Sequence, residues 1–170
     1  INKDKNLFMM KGLPLITVYD DNHFVRNDYD VLSFGQRNYV INYFARLGFK
    51  QSSGQLLEKS EQHIHIPKPN ANLAISSFES HFLKSTRNTY YCVTPTMFAE
   101  TLFYQTLGKP YLDVLKTVRK LIKKCRYNIE WLRDISYRSP IEDITKSTYD
   151  DLVQYQKFIV TQRFKSKKAL

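Results

Sequence analysis

Lys11-Gly12-Leu13, followed downstream by Arg26-Asn27-Asp28-Tyr29-Asp30-Val31, is the stretch on which the fold turns. Residues two apart on a strand project from the same side. A strand from Phe24 to Leu32 therefore presents Asp28 and Asp30 together. Two carboxylates held that close repel each other unless a cation lies between them. Hard divalent ions such as Mg²⁺ take carboxylate oxygens and leave coordination positions open to phosphates. The upstream glycine suits a tight turn that brings backbone N–H groups to those phosphates. One reading is a metal-dependent nucleotide site. The other is a pair of solvent-facing acids at a strand end.

Working outward, Leu7-Phe8-Met9-Met10 predicts a short buried strand ending at Gly12, and residues 13–20, with Pro14 in a first turn, predict a short helix. Ser33-Phe34-Gly35-Gln36 fits a capping box. The helix behind it carries Val40, Phe44 and Leu47 on one face and closes at Gly48. Residues 50–62 are polar and give no clear period, whereas His63-Ile64-His65-Ile66 alternates like a strand. Pro67-Lys68-Pro69-Asn70 reads as a turn and Leu73 to His81 as a returning strand. Tyr90 to Val93 is another short apolar stretch. Thr94-Pro95 then starts a helix that Gly108 closes, and Pro110 opens a longer one with an apolar stripe at Leu115, Val118, Ile122 and Cys125. Lys116, Arg119, Lys120, Lys123 and Lys124 lie mostly off that stripe. Ser139-Pro140-Ile141-Glu142 caps a last helix, which places Leu152, Tyr155 and Ile159 together and ends in a basic tail.

The expected class is α+β, a mixed sheet flanked by helices with a helical C-terminal part. Residues 1–93 form the α/β core and 94–170 the helical region, either as a second unit or within the same compact domain. The 170 residues carry 42% hydrophobic and 25% charged side chains, which suits a globular protein with a substantial core. No apolar run reaches the roughly 20 residues of a membrane-spanning helix, and no signal peptide is visible. A cytoplasmic setting is expected from two cysteines, Cys92 and Cys125, that make neither a disulfide framework nor a zinc pattern. The first residue is Ile rather than Met, which leaves a native segment upstream as an open alternative.

The net charge of +10 is lopsided. Residues 109–170 hold 15 Lys+Arg against 7 Asp+Glu, whereas residues 1–108 hold 11 against 9. The C-terminal third is thus where a nucleic acid, a nucleotide or an acidic protein partner is expected, unless the charge only solubilises a helix face.

Met10 to Lys50 resembles the N-terminal core of nucleotidyltransferase-fold proteins. The likeness is to the uncharacterised bacterial nucleotidyltransferase family and to nucleotidyltransferases of the abortive-infection toxin type. It rests on Lys11-Gly12, Arg26, Asp28-Tyr29-Asp30 and Leu47-Gly48-Phe49, in that order. Phe78-Glu79-Ser80-His81-Phe82 matches the acidic-x-His-aromatic strand that often follows in that group. Val93-Thr94-Pro95 and Ile129-Glu130-Trp131-Leu132 are similar to parts of its helical region. The resemblance implies that Asp28, Asp30 and Glu79 are catalytic and hold two Mg²⁺ ions. One ion would clamp the triphosphate of an NTP and the other would activate a hydroxyl acceptor, with Glu79 able to take its proton. Lys11, Gly12 and Arg26 would contact the nucleotide. The chain departs from the pattern in its single glycine, in Glu at the third acidic position and in Asn27. A degenerate fold that binds nucleic acid or protein is the alternative.

His63 and His65 share one strand face, and with His23 or His81 they form a possible zinc set, but no fixed spacing supplies a third ligand and half-exposed hairpin histidines are the simpler expectation. His81 is also placed to orient Glu79. The many Tyr and Phe residues fall mainly at periodic apolar positions and are expected in the core rather than stacked on bases.

Overall fold

The computed structural model describes residues 1, 3–19, 32–68, 78–84, 86–126 and 140–166, with side chains through residue 162. In chain order these are β1 (Leu7–Met9), β2 (Leu15–Val18), α1 (Phe34–Arg46), β3 (Lys50–Ser53), β4 (Leu56–Lys59), β5 (Gln62–His65), one turn of 3-10 helix (Ser80–Leu83), β6 (Thr89–Val93), α2 (Pro95–Gln105), α3 (Tyr111–Lys124) and α4 (Glu142–Ser166). The fold is α+β. Among the described residues one mixed sheet of six strands runs in the order β1-β2-β6-β5-β4-β3. β2, β6 and β5 are parallel neighbours, and the outer pairs are antiparallel.

Strand alternation divides the core in two. Ile16, Val18, Leu57, Ile64 and Cys92 turn to one face and pack with Val40 and Phe44 of α1. Leu15 and Val93 turn to the other and join Phe98, Leu102 and Phe103 of α2, Val118, Leu121 and Ile122 of α3, and Leu152 of α4. Helices therefore cover both faces of the sheet. The second cluster runs without a break from the strands into the C-terminal helices.

The first helix forms as its sequence predicts. Gln36 N–H donates to Ser33 Oγ at 3.1 Å and Ser33 N–H donates to Gln36 Oε1 at 2.9 Å, completing the capping box. At the other end Gly48 takes φ +87°, its N–H donates to Ala45 O and the Phe49 N–H to Phe44 O. These two bonds make a Schellman cap, and the Phe44 and Phe49 rings meet edge-on at 5.2 Å across it. Leu47-Gly48-Phe49 is thus a helix stop, with Leu47 itself 45% exposed rather than on the buried face. Arg37 reaches from α1 to the Gly54 carbonyl and ties the β3–β4 turn to the helix.

Three sequence expectations change. Residues 13–20 hold strand β2 rather than a short helix. Ile16, Thr17 and Val18 are β-branched and buried on both faces, which favours the pleated conformation over Pro14's preference for a first helical turn. Pro14 instead precedes the strand, and its carbonyl accepts from Tyr91 N–H at 2.8 Å. Residues 50–62 form the hairpin strands β3 and β4, obscured in the sequence because all of β3 is exposed. The returning strand expected up to His81 gives way, in its described part, to the 3-10 turn Ser80–Leu83, which drives Phe82 into the core.

Candidate functional site

The parallel strands β5 and β6 end side by side, with His65 opposite Tyr91 in register. Their rings stack at 5.1 Å. The 3-10 turn lays a third ring over this pair, placing His81 4.5 Å from Tyr91. An open cleft of about 340 Å³ lies at this edge, bounded by Gln55, His65, Glu79, His81, Tyr91 and Met97 among others. The carboxyl ends of parallel strands are the usual place for a ligand in an open sheet.

Glu79 sits on extended backbone just before the turn. Its carboxylate accepts from His81 Nδ1 at 2.9 Å, with 61% of the Glu79 side chain and 39% of His81 exposed. The contact that the sequence predicts between His81 and Glu79 is therefore made. It fixes the imidazole with Nδ1 as the donor. His81 Nε2 is shut off from solvent and has no hydrogen-bond partner among the described residues. Partial burial, and then the neighbouring imidazoles of His63 and His81, hold His65 below the ordinary histidine range. His63 lies 3.6 Å from Glu58. Among the described residues no three His, Cys, Asp or Glu side chains converge on a point that could hold a metal ion. Burial pushes the Cys92 thiol up to about 12 and raises Cys125 as well, so both are inert.

Asp28, Asp30 and Arg26 lie outside the described residues, as does His23. Val18 ends β2 on the same sheet edge as Val93, since Thr17 is paired with Val93 in a parallel register. Lys11 and Gly12 occupy the opposite end of β2, in the turn from β1. There Leu13 N–H donates to Met10 O at 3.2 Å, and Gly12 takes φ +90° at the third position, where a type II turn requires positive φ. A reversal between antiparallel strands accounts for this glycine.

The second feature is on α3. Lys116, Arg119, Lys120 and Lys123 are spaced by three and four residues and so share one face. The three lysines are exposed and Arg119 is half-buried. Val114, Val118, Leu121 and Ile122 fill the opposite, buried face. Lys124 points elsewhere and donates to the Asp4 carbonyl. Leu112, Leu115 and Tyr155 of α4 complete a groove of about 310 Å³ with those four cations. The Arg119 guanidinium lies 5.1 Å from the centre of the Tyr155 ring, and Leu112 is 74% exposed.

Two of the acids on the neighbouring helix, Asp151 and Glu142, are engaged locally. Asp151 accepts from Tyr111 OH and Glu142 pairs with Lys146 one turn away. Among the described residues no carboxylate reaches ion-pair distance of Lys116, Lys120 or Lys123. The cationic periodicity is legible in the sequence, but Tyr155, placed there on an apolar stripe, is half-buried at the groove. No signal along the chain points to its meeting with Arg119.

No protein-family model matches this chain, and no curated protein or solved structure is significantly similar to it.

Proposed function

We propose that this chain is a nucleic-acid-binding module whose contact surface is the basic face of α3. The observation that carries this reading is the set of four cations on one helix face, with no carboxylate neutralising its lysines among the described residues. Like charges aligned along a helix repel each other, and a polyanion relieves that repulsion while releasing its own counterions. The excess of Lys and Arg in residues 109–170 extends the same field around the groove. Sequence-independent binding of this type has a Kd of about 10⁻⁴ to 10⁻⁶ M at physiological salt. Anisotropy titrations with labelled DNA and RNA at several salt concentrations test it. Affinity should fall steeply as salt rises, and absence of binding at low salt defeats the reading.

A second reading is a metal-dependent nucleotidyltransferase, moving a nucleoside monophosphate from an NTP to a hydroxyl acceptor. The position of Glu79 favours it, because its carboxylate lines an open cleft at the strand ends and His81 orients it. The mixed sheet flanked by helices agrees with the fold that reading requires. In this reading Asp28, Asp30 and Glu79 hold two Mg²⁺ ions. Incubation with α-labelled nucleoside triphosphates and Mg²⁺ decides it. Label transfer lost in Glu79→Gln and in Asp28→Ala with Asp30→Ala supports it. Transfer that survives both variants refutes the site.

A further inference from the structure

We infer that the groove between α3 and α4 takes a single nucleic-acid strand, with its backbone along the lysines and an unstacked base against Tyr155, rather than the outside of a duplex. This rests on the nucleic-acid reading above and specifies its substrate.

The groove is not uniformly cationic. Lys116, Lys120 and Lys123 form an exposed row, while Leu112, Leu115 and Tyr155 give the same cavity an apolar side. From Lys116 to Lys123 the helix rises about 10 Å at ~1.5 Å per residue. Each strand of a stacked duplex advances about 3.4 Å per phosphate along its axis, and an unstacked strand advances further, so the row spans at most about three successive phosphates. A duplex offers only phosphates and sugars to a flat basic face, and its bases are turned inward. It would set charged groups against Leu112 and the Tyr155 ring and gain nothing from covering them. A single strand presents both chemistries at once, anionic on one side and flat and apolar on the other. Single-strand-binding surfaces combine a cationic track with aromatic platforms in this way. Arg119 joins the two parts, since its guanidinium lies over the Tyr155 ring and the residue lines the same groove as the lysines. No described carboxylate closes the track, since Asp151 is held by Tyr111 at the start of α3 and none reaches ion-pair distance of the three lysines.

The decisive experiment is fluorescence anisotropy of the 170-residue chain with a labelled mixed-sequence 12-nucleotide strand and with the corresponding 12-base-pair duplex. The single strand should bind about tenfold more tightly at equal salt. Tyr155→Leu should weaken the strand about tenfold and leave the duplex unchanged, as expected for loss of one stacked base. Tyr155→Phe should retain strand binding and shows that a loss in the Leu variant is not a folding defect. Circular dichroism melts of both variants provide a second check. Equal or tighter duplex binding, or a Tyr155→Leu variant indistinguishable from the parent, overturns the single-strand inference and leaves the nucleic-acid reading standing. Binding to neither probe at low salt overturns both. Equal lysine-dependent binding to phosphatidylserine vesicles also overturns the inference, by making the groove a general anionic surface.

Discussion

The cleft beside Glu79 and the groove along α3 are close in size, about 340 and 310 Å³, yet opposite in electrostatic economy. At the cleft Glu79 is paired with the His81 imidazole, and on the neighbouring hairpin Glu58 lies beside His63. In the groove, the three lysines are exposed, while Asp151 and Glu142 of α4 are engaged elsewhere. A site whose charges satisfy one another is stable alone and adds little long-range attraction. A site whose charges repel one another is improved by a partner of the opposite sign. Size alone does not separate the two regions, but charge balance does.

The largest effect should come from Phe98→Ala. Phe98 is fully buried between the sheet and the helical layer and meets Phe8 at 5.4 Å. Its truncation should cost about 3–5 kcal/mol in urea unfolding. Because the helices that carry the groove stand on this core, the groove should lose binding together with stability. Next comes charge reversal. Lys116→Glu, Lys120→Glu and Lys123→Glu together should weaken nucleic-acid binding by about two orders of magnitude and reduce the salt slope by about 2. Glu79→Gln should leave both quantities unchanged. Equal effects from the two sets would erase the contrast drawn between the sites.

Ser33→Ala should cost about 1 kcal/mol by removing one half of the capping box, measurable as a shift in unfolding midpoint with no change in binding. The smallest effect concerns the thiols. Cys92 and Cys125 are fully buried with raised pKa values. Thiol-reactive dye should label them only at the rate of unfolding at neutral pH. Fast labelling of Cys92 would show that the core beneath the cleft opens.

Features written in local sequence were readable in advance. The Ser33–Gln36 box, the Gly48 stop, Thr94-Pro95 and the charged period of α3 each depend on residues within a turn or two of one another. Tertiary placement was harder to read. β2 has only four residues, too few for its β-branched composition to outweigh a preceding proline until β1 and β6 are known to flank it. β3 has no alternation to read because none of its residues is buried. Glu79 fits a strand pattern in sequence, but Phe82 is buried three residues later and draws the chain into a 3-10 turn. In the groove the α3 cations were legible, while their aromatic neighbour lies on another helix at a position that ordinary periodicity assigns to packing.

The exposed strand β3 bears on how the molecule behaves at high concentration. Among the described residues it pairs with β4 alone, so its outer side offers unpaired backbone groups to a second copy. Two details discourage that encounter. Its register shifts between Gln51 and Ser53, which bends the ladder, and Lys50 sets a cation at its start. Straightening this strand by a one-residue deletion, or replacing its polar residues with valine, should convert a self-limiting sheet into one that grows from molecule to molecule.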